Sequence, residues 1–148
     1  MIKLLLLTLL VACGESPLLN HANEKFKAVG SILNQESRVY SFKESKTFFI
    51  LDWTQGPQLG ESILQVKAWN EAEGTLNGPY QDFPEEFSVD LWMPDMGHGS
   101  SPVKITKIDQ GEYLVNKVYF IMSGKWEVRF KLKRQGKVVD EVVLNLHI

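Results

Sequence analysis

The chain of 148 residues has very little cysteine: one residue, Cys13, close to the start. That excludes an intrachain disulfide framework, a multi-thiolate metal site and a CxxC redox pair. No apolar run reaches the roughly 18–20 residues needed to cross a bilayer as a helix. Basic excess is missing too, with 16 Lys and Arg against 18 Asp and Glu and a net charge of −2. Nothing therefore draws the chain to phosphates, and nucleic-acid binding is not expected. There is no internal repeat, no low-complexity tract and no stretch with a sustained helical period. The three histidines stand far apart at 21, 98 and 147, and no nucleophile–base pair is visible, so an enzyme is not expected. What remains is an ordinary globular balance, 44% hydrophobic and 23% charged, of a length that suits one domain.

The N-terminus reads as an export signal. Lys3 supplies a positive charge, and the apolar run from Leu4 to Ala12 ends in small residues. Leu10-Val11-Ala12-Cys13 resembles the lipobox of bacterial lipoproteins. That resemblance implies cleavage after residue 12 and lipidation of Cys13, anchoring the protein to a membrane outside the cytoplasm. With Gly14 next and no Asp there, it implies the outer membrane, facing the periplasm, if the cell is Gram-negative. The organisation expected is a signal over residues 1–12, a lipidated N-terminus and tether over 13–38, and a domain over 39–148. The tether is broken up by Pro17, Gly30 and several Asn and Ser residues. As a coil, its span is on the order of 25–30 Å.

From residue 39 the pattern changes to β-strands. Seven are expected: Lys46–Trp53, Glu61–Trp69, Phe87–Met93, Val103–Ile108, Tyr113–Met122, Trp126–Lys133 and Val138–Leu146. Gly-, Pro- and Asp-containing turns separate them. In the strand from Trp126, apolar Trp126, Val128, Phe130 and Leu132 alternate with charged residues. Each sheet then has one apolar and one wet face. The fold expected is all-β, an immunoglobulin-like sandwich of about seven strands. With no cysteine pair to pin the sheets, aromatic residues must do it: Trp53, Trp69, Trp126, Phe120 and Phe130 are the candidates.

One segment carries chemistry. Met93-Pro94-Asp95-Met96-Gly97-His98-Gly99 sets two thioethers and an imidazole within six positions. Thioether sulfur is a soft donor that suits Cu(I), and imidazole suits copper. Met93 continues the inward face of Phe87, Val89 and Leu91, so core packing claims it as strongly as a ligand role does. Pro94 ends the strand, and Met96 and His98 are expected on one side of a short extended stretch. Packing does not explain a methionine in an exposed Gly-rich turn. His98 can instead hydrogen-bond within the loop, and Asp95 can cap the turn. Met122 can complete the set from a neighbouring strand, although Val118 and Phe120 share its face and point it at the core. His21 and His147 are expected to be solvated or incidental.

Three spaced motifs carry a family resemblance. They are Leu91-Trp92-Met93-Pro94-Asp95-Met96-Gly97-His98-Gly99, Gly111-Glu112-Tyr113, and Phe120-Ile121-Met122-Ser123-Gly124-Lys125-Trp126-Glu127-Val128. Together they resemble the YtkA-like domain, related to the FixH proteins, over about residues 45–146. Trp53 and Gln55-Gly56-Pro57 fit its opening. The resemblance implies an immunoglobulin-like sandwich, often secreted or membrane-tethered, tied to copper handling or cytochrome oxidase assembly. It implies Met93, Met96 and His98 as metal-facing residues and Gly111, Tyr113, Gly124 and Trp126 as structural ones. FixH proteins carry a transmembrane anchor, where this chain has a lipobox. The function expected is a lipid-anchored copper-binding module, favouring Cu(I), that buffers the metal or passes it to a protein partner. The alternative is a non-metal interaction or ligand-binding domain of the cell envelope. Burial of both Met93 and Met96 in the core would favour that alternative.

Overall fold

A computed structural model describes residues 39–148. The signal, Cys13, the tether and His21 lie outside the described residues. Nine strands and no helix are present among those described: β1 Tyr40–Phe42, β2 Thr47–Gln55, β3 Gly60–Asn70, β4 Glu86–Met93, β5 His98–Gly99, β6 Lys104–Asp109, β7 Glu112–Phe120, β8 Lys125–Arg134 and β9 Lys137–His147. The two strands beyond the expected seven are β1 and β5. At three and two residues they are too short to show an alternating period.

The strands form two antiparallel sheets, ordered β1-β2-β3-β7-β6 and β5-β4-β8-β9. Taking β2, β3, β4, β7, β8 and β9 as A, B, C, E, F and G, with β6 as D, reproduces the ABED and CFG sheets of an immunoglobulin sandwich. β5 takes the position beside C that variable-type domains fill with an extra strand. Alternation does the building. Along β8, Trp126, Val128, Phe130 and Leu132 are buried, while Lys125, Glu127, Arg129 and Lys131 face outward. Val89, Leu91 and Met93 do the same on β4.

Aromatic rings join the sheets where a disulfide is absent. Phe49 of β2 meets Phe130 of β8 with centroids 5.4 Å apart. Phe87 of β4 meets Tyr113 of β7 at 5.6 Å, and Phe120 meets Trp126 edge-on at 5.5 Å. Each such pair contributes about 0.5–1.5 kcal/mol beyond the area it buries. Three of the five expected core aromatics, Trp126, Phe120 and Phe130, are fully buried in this core. Trp53 is half-buried at its edge.

Trp69 departs from expectation. It is buried outside the main core, stacked on Phe48 at 6.1 Å and covered by the segment around Gly74. Leu64, Val66 and Ala68 are the inward set. The expected strand over Tyr113–Met122 ends at Phe120, because residues 121–124 leave one sheet to enter the other.

At the end of the sandwich opposite this crossover, Asp82 fastens the β3–β4 connection to the β6–β7 turn. Its carboxylate accepts hydrogen bonds from the Gly111 amide at 2.8 Å, from Lys107 and from the Tyr113 hydroxyl at 3.3 Å. The Lys107 bond first, then the Gly111 amide, holds the Asp82 carboxyl below its ordinary value. Burial first raises the Tyr113 hydroxyl above its own.

Candidate functional site

The site is the β4–β5 hairpin. Its closing pair is Met93 opposite His98, with Trp92 opposite Gly99 behind it. Residues 94–97 are a turn, not the extended stretch expected, because Pro94 sets the first turn position and the Met93 carbonyl gathers the loop. That carbonyl accepts hydrogen bonds from the Met96 amide at 3.2 Å and the Gly97 amide at 2.9 Å. Gly97 has φ +67°, the left-handed conformation that lets a four-residue loop rejoin the partner strand. Beyond the pair, the Ser100 amide donates to the Leu91 carbonyl, and its hydroxyl donates to the Tyr119 carbonyl of the other sheet at 2.7 Å.

The four candidate residues separate into distinct settings. Met93 is 4% exposed and belongs to the core cluster. Met96, at the tip of the turn, is 58% exposed. His98 is half-buried on the edge strand. Residues directly opposite in a strand pair project from the same face, so the Met93 thioether and the His98 imidazole leave the hairpin on one side. Met122 is partly buried against the core in the crossover. Its carbonyl accepts the Trp126 indole N–H at 2.9 Å. The crossover reaches Met93 through Gly124, where an added Cβ would stand 2.6 Å from the Met93 methyl carbon. Gly124 is itself held by two backbone hydrogen bonds to Ile148, each 2.9 Å.

The donor chemistry suits a soft metal. His98 Nδ1 lies 3.1 Å from the Gly99 carbonyl. A carbonyl only accepts, so Nδ1 is the donor in that contact, and in the neutral ring Nε2 is the nitrogen left for a metal. A metal-bound histidine has this arrangement when its second nitrogen donates to a backbone carbonyl. Among the described residues no group of three or more His, Cys, Asp and Glu could hold a metal ion, so a metal at this hairpin would rely on the methionines. His147 is not part of the set. It sits on β9 opposite Lys125, on the outward face and two strands away from the hairpin.

Sequence reasoning missed two neighbours of the hairpin. Leu59 lies in the β2–β3 turn and Ile121 opens the crossover, 60% and 55% exposed. Gly60 pairs with Phe120, which sets these two residues side by side at the hairpin's end of the sandwich. The available signal was an apolar residue bracketed by turn formers, as in Gly56-Pro57-Gln58-Leu59-Gly60.

Fold and site together define an immunoglobulin-topology β-sandwich with a thioether–imidazole hairpin at one end. Residues 84–131 match the family model described as YtkA-like. The match runs from the approach to β4 into β8 and contains all three spaced motifs. The opening around Trp53 lies outside it. No curated protein and no solved structure matches the chain.

Proposed function

We propose that the protein is a lipid-anchored, extracytoplasmic copper-binding module without enzymatic activity. In this reading it buffers Cu(I) or passes it to a protein partner, in copper delivery or oxidase assembly. Cys13 carries the anchor, in the outer membrane facing the periplasm if the cell is Gram-negative. The observation that carries the copper reading is the closing pair: Met93 and His98 face one side of the hairpin, with Met96 exposed at its tip. His98 Nε2, the Met96 sulfur and the Met93 sulfur would hold the metal, and Met122 would join from the crossover. Two or three soft donors and an imidazole suit Cu(I) and leave it exchangeable. The YtkA-like match over the same segment supports this reading.

The test is a competition titration against a Cu(I) chelator. Wild-type protein should retain copper, and Met96→Ala/His98→Ala should weaken retention by at least about tenfold, since even second-sphere changes cost 10–100-fold. Equal retention by the two would defeat the reading.

A second reading, a non-metal interaction domain, draws on one observation: the Met93 side chain is committed to the core. Under it, the turn is a shaped contact loop, and the wild type does not compete with the chelator.

A further inference from the structure

The end of the sandwich that holds the hairpin differs chemically from the opposite end. Three loops converge there: residues 56–59, 94–97 and 121–124. Strand register establishes the convergence. Gly60 pairs with Phe120, Met93 with His98, and Trp92 with Glu127, so the three loops leave the sheets at the same level. Each loop presents one large apolar side chain to solvent: Leu59, Met96 and Ile121, at 60%, 58% and 55% exposure. Among the twelve residues of these loops, Asp95 alone carries a formal charge. The opposite end also exposes apolar Leu76, Ile108 and Val138, but there they stand among charge: three of the four residues 43–46 are charged, and surface ion pairs join Arg134 to Glu85 and Lys107 to Asp82.

We propose that this apolar tip docks into a lipid bilayer, with Leu59, Met96 and Ile121 entering the headgroup–acyl boundary. Three features favour a bilayer over a protein. The apolar side chains stand on three separate turns, one on each, as spaced protrusions. The loops offer almost no charge for a protein partner to complement. With Cys13 carrying the anchor proposed above, only the 25 residues 14–38 separate the lipid from the domain, which holds a lipid surface near it at high effective concentration. The proposal rests on the anchoring part of the function proposed above; it shares Met96 with the copper reading, so its test uses Leu59 and Ile121, which neither reading makes a ligand.

The mature chain has no cysteine besides Cys13, whose thiol the lipid consumes, so a single introduced cysteine can be labelled selectively. The experiment uses the full lipidated chain in phosphatidylcholine vesicles. An environment-sensitive fluorophore is placed at Leu59→Cys, at Ile121→Cys, or at Gln110→Cys on the far end. Co-sedimentation with the vesicles reports anchoring separately. The expected result is blue-shifted emission at 59 and 121, quenched by nitroxide-labelled lipid, with the label at 110 unaffected. Added salt should not abolish the shift, because the three inserting side chains are apolar. Adding Leu59→Glu to the Ile121→Cys protein should lower the docked-to-undocked ratio on the order of tenfold. If the chain sediments with vesicles but labels at 59 and 121 are as wet as at 110, the docking proposal is overturned and the anchor stands. If the chain does not sediment, anchor and docking both fail. A blue shift that grows with protein concentration in the absence of vesicles would overturn the proposal in favour of a second copy on the tip.

Discussion

Met93 is the residue on which packing and the proposed metal site make competing demands, and substitution can separate them. It is almost fully buried, with its methyl carbon against the crossover at Gly124. Truncating a buried methionine to alanine costs about 2–5 kcal/mol, depending on how far the site collapses. Met93 lies at the end of the core, beside solvent, where its neighbours can close on part of the cavity, so Met93→Ala should cost about 2–3 kcal/mol. For a domain of this size that corresponds to a fall in Tm of roughly 10 °C. Met93→Leu keeps the volume and should cost under about 1.5 kcal/mol, but it removes the sulfur. Met96→Ala, at an exposed turn position, should stay within about 0.5 kcal/mol. The assay is thermal denaturation of the mature chain without metal, followed by Cu(I) competition on the variants that remain folded. If Met93→Ala melts within about 2 °C of the wild type, the core assignment is wrong. If Met93→Leu retains copper as well as the wild type does, the Met93 sulfur is packing alone, and the metal relies on Met96, His98 and Met122.

Two further predictions concern the opposite end of the domain. Gly111 has φ +68°, and a Cβ there would meet the Gln81 amide nitrogen at 2.3 Å and the Tyr80 carbonyl carbon at 2.7 Å. Backbone cannot step aside as a side chain can, so Gly111→Ala should destabilise by more than about 2 kcal/mol in urea denaturation; a smaller cost would mean that the two segments do not approach so closely. Asp82→Ala should cost about 1 kcal/mol at neutral pH through loss of its bonds to Gly111, Lys107 and Tyr113. The folded-state carboxyl is depressed, chiefly by Lys107. Its stabilising contribution is therefore present above the ordinary carboxyl pKa of about 3.9 and disappears as pH falls through the lower folded value. Urea midpoints of wild type and variant should converge below that range, and a gap that persists at acid pH would contradict the assignment.

Fold class was legible because alternation is a local signal. Phe87, Val89, Leu91 and Met93 announce a half-buried strand without reference to the rest of the chain, and so does the run from Trp126. β5 could not be read this way. His98 and Gly99 become a strand only because Met93 and Trp92 lie opposite them, a fact of pairing rather than propensity. Trp69 shows a similar limit. Its hydrophobicity marked it for burial, but the covering element is the segment around Gly74 on the outer face of the sheet, and composition does not say which side of a sheet supplies the cover. The residue types of the site were readable from softness and spacing alone. Their different exposures, and the approach of the crossover through Gly124, depend on long-range register.

The hairpin's packing role and its proposed copper role follow from one geometric fact. Its closing pair stands where the core ends and the solvent-facing loops begin, so consecutive chemistry-bearing residues cross that boundary within a single turn. Met93 is fixed by the core, and His98 is oriented by the Gly99 carbonyl. Met96 is left exposed at the tip of the turn, with its side chain outside the core. A soft site built this way has a half fixed by packing and a half outside it. Release or transfer of a bound ion would begin with Met96, because moving it breaks no packing, whereas moving Met93 opens a cavity of the kind that costs 2–5 kcal/mol when a methionine is truncated. Met96→Ala should therefore speed Cu(I) loss to a chelator while leaving Tm unchanged. Met93→Ala should lower Tm whether or not copper is present. A Met96 variant that slows metal loss would reverse this order and contradict the division of the hairpin into a fixed and a moving part.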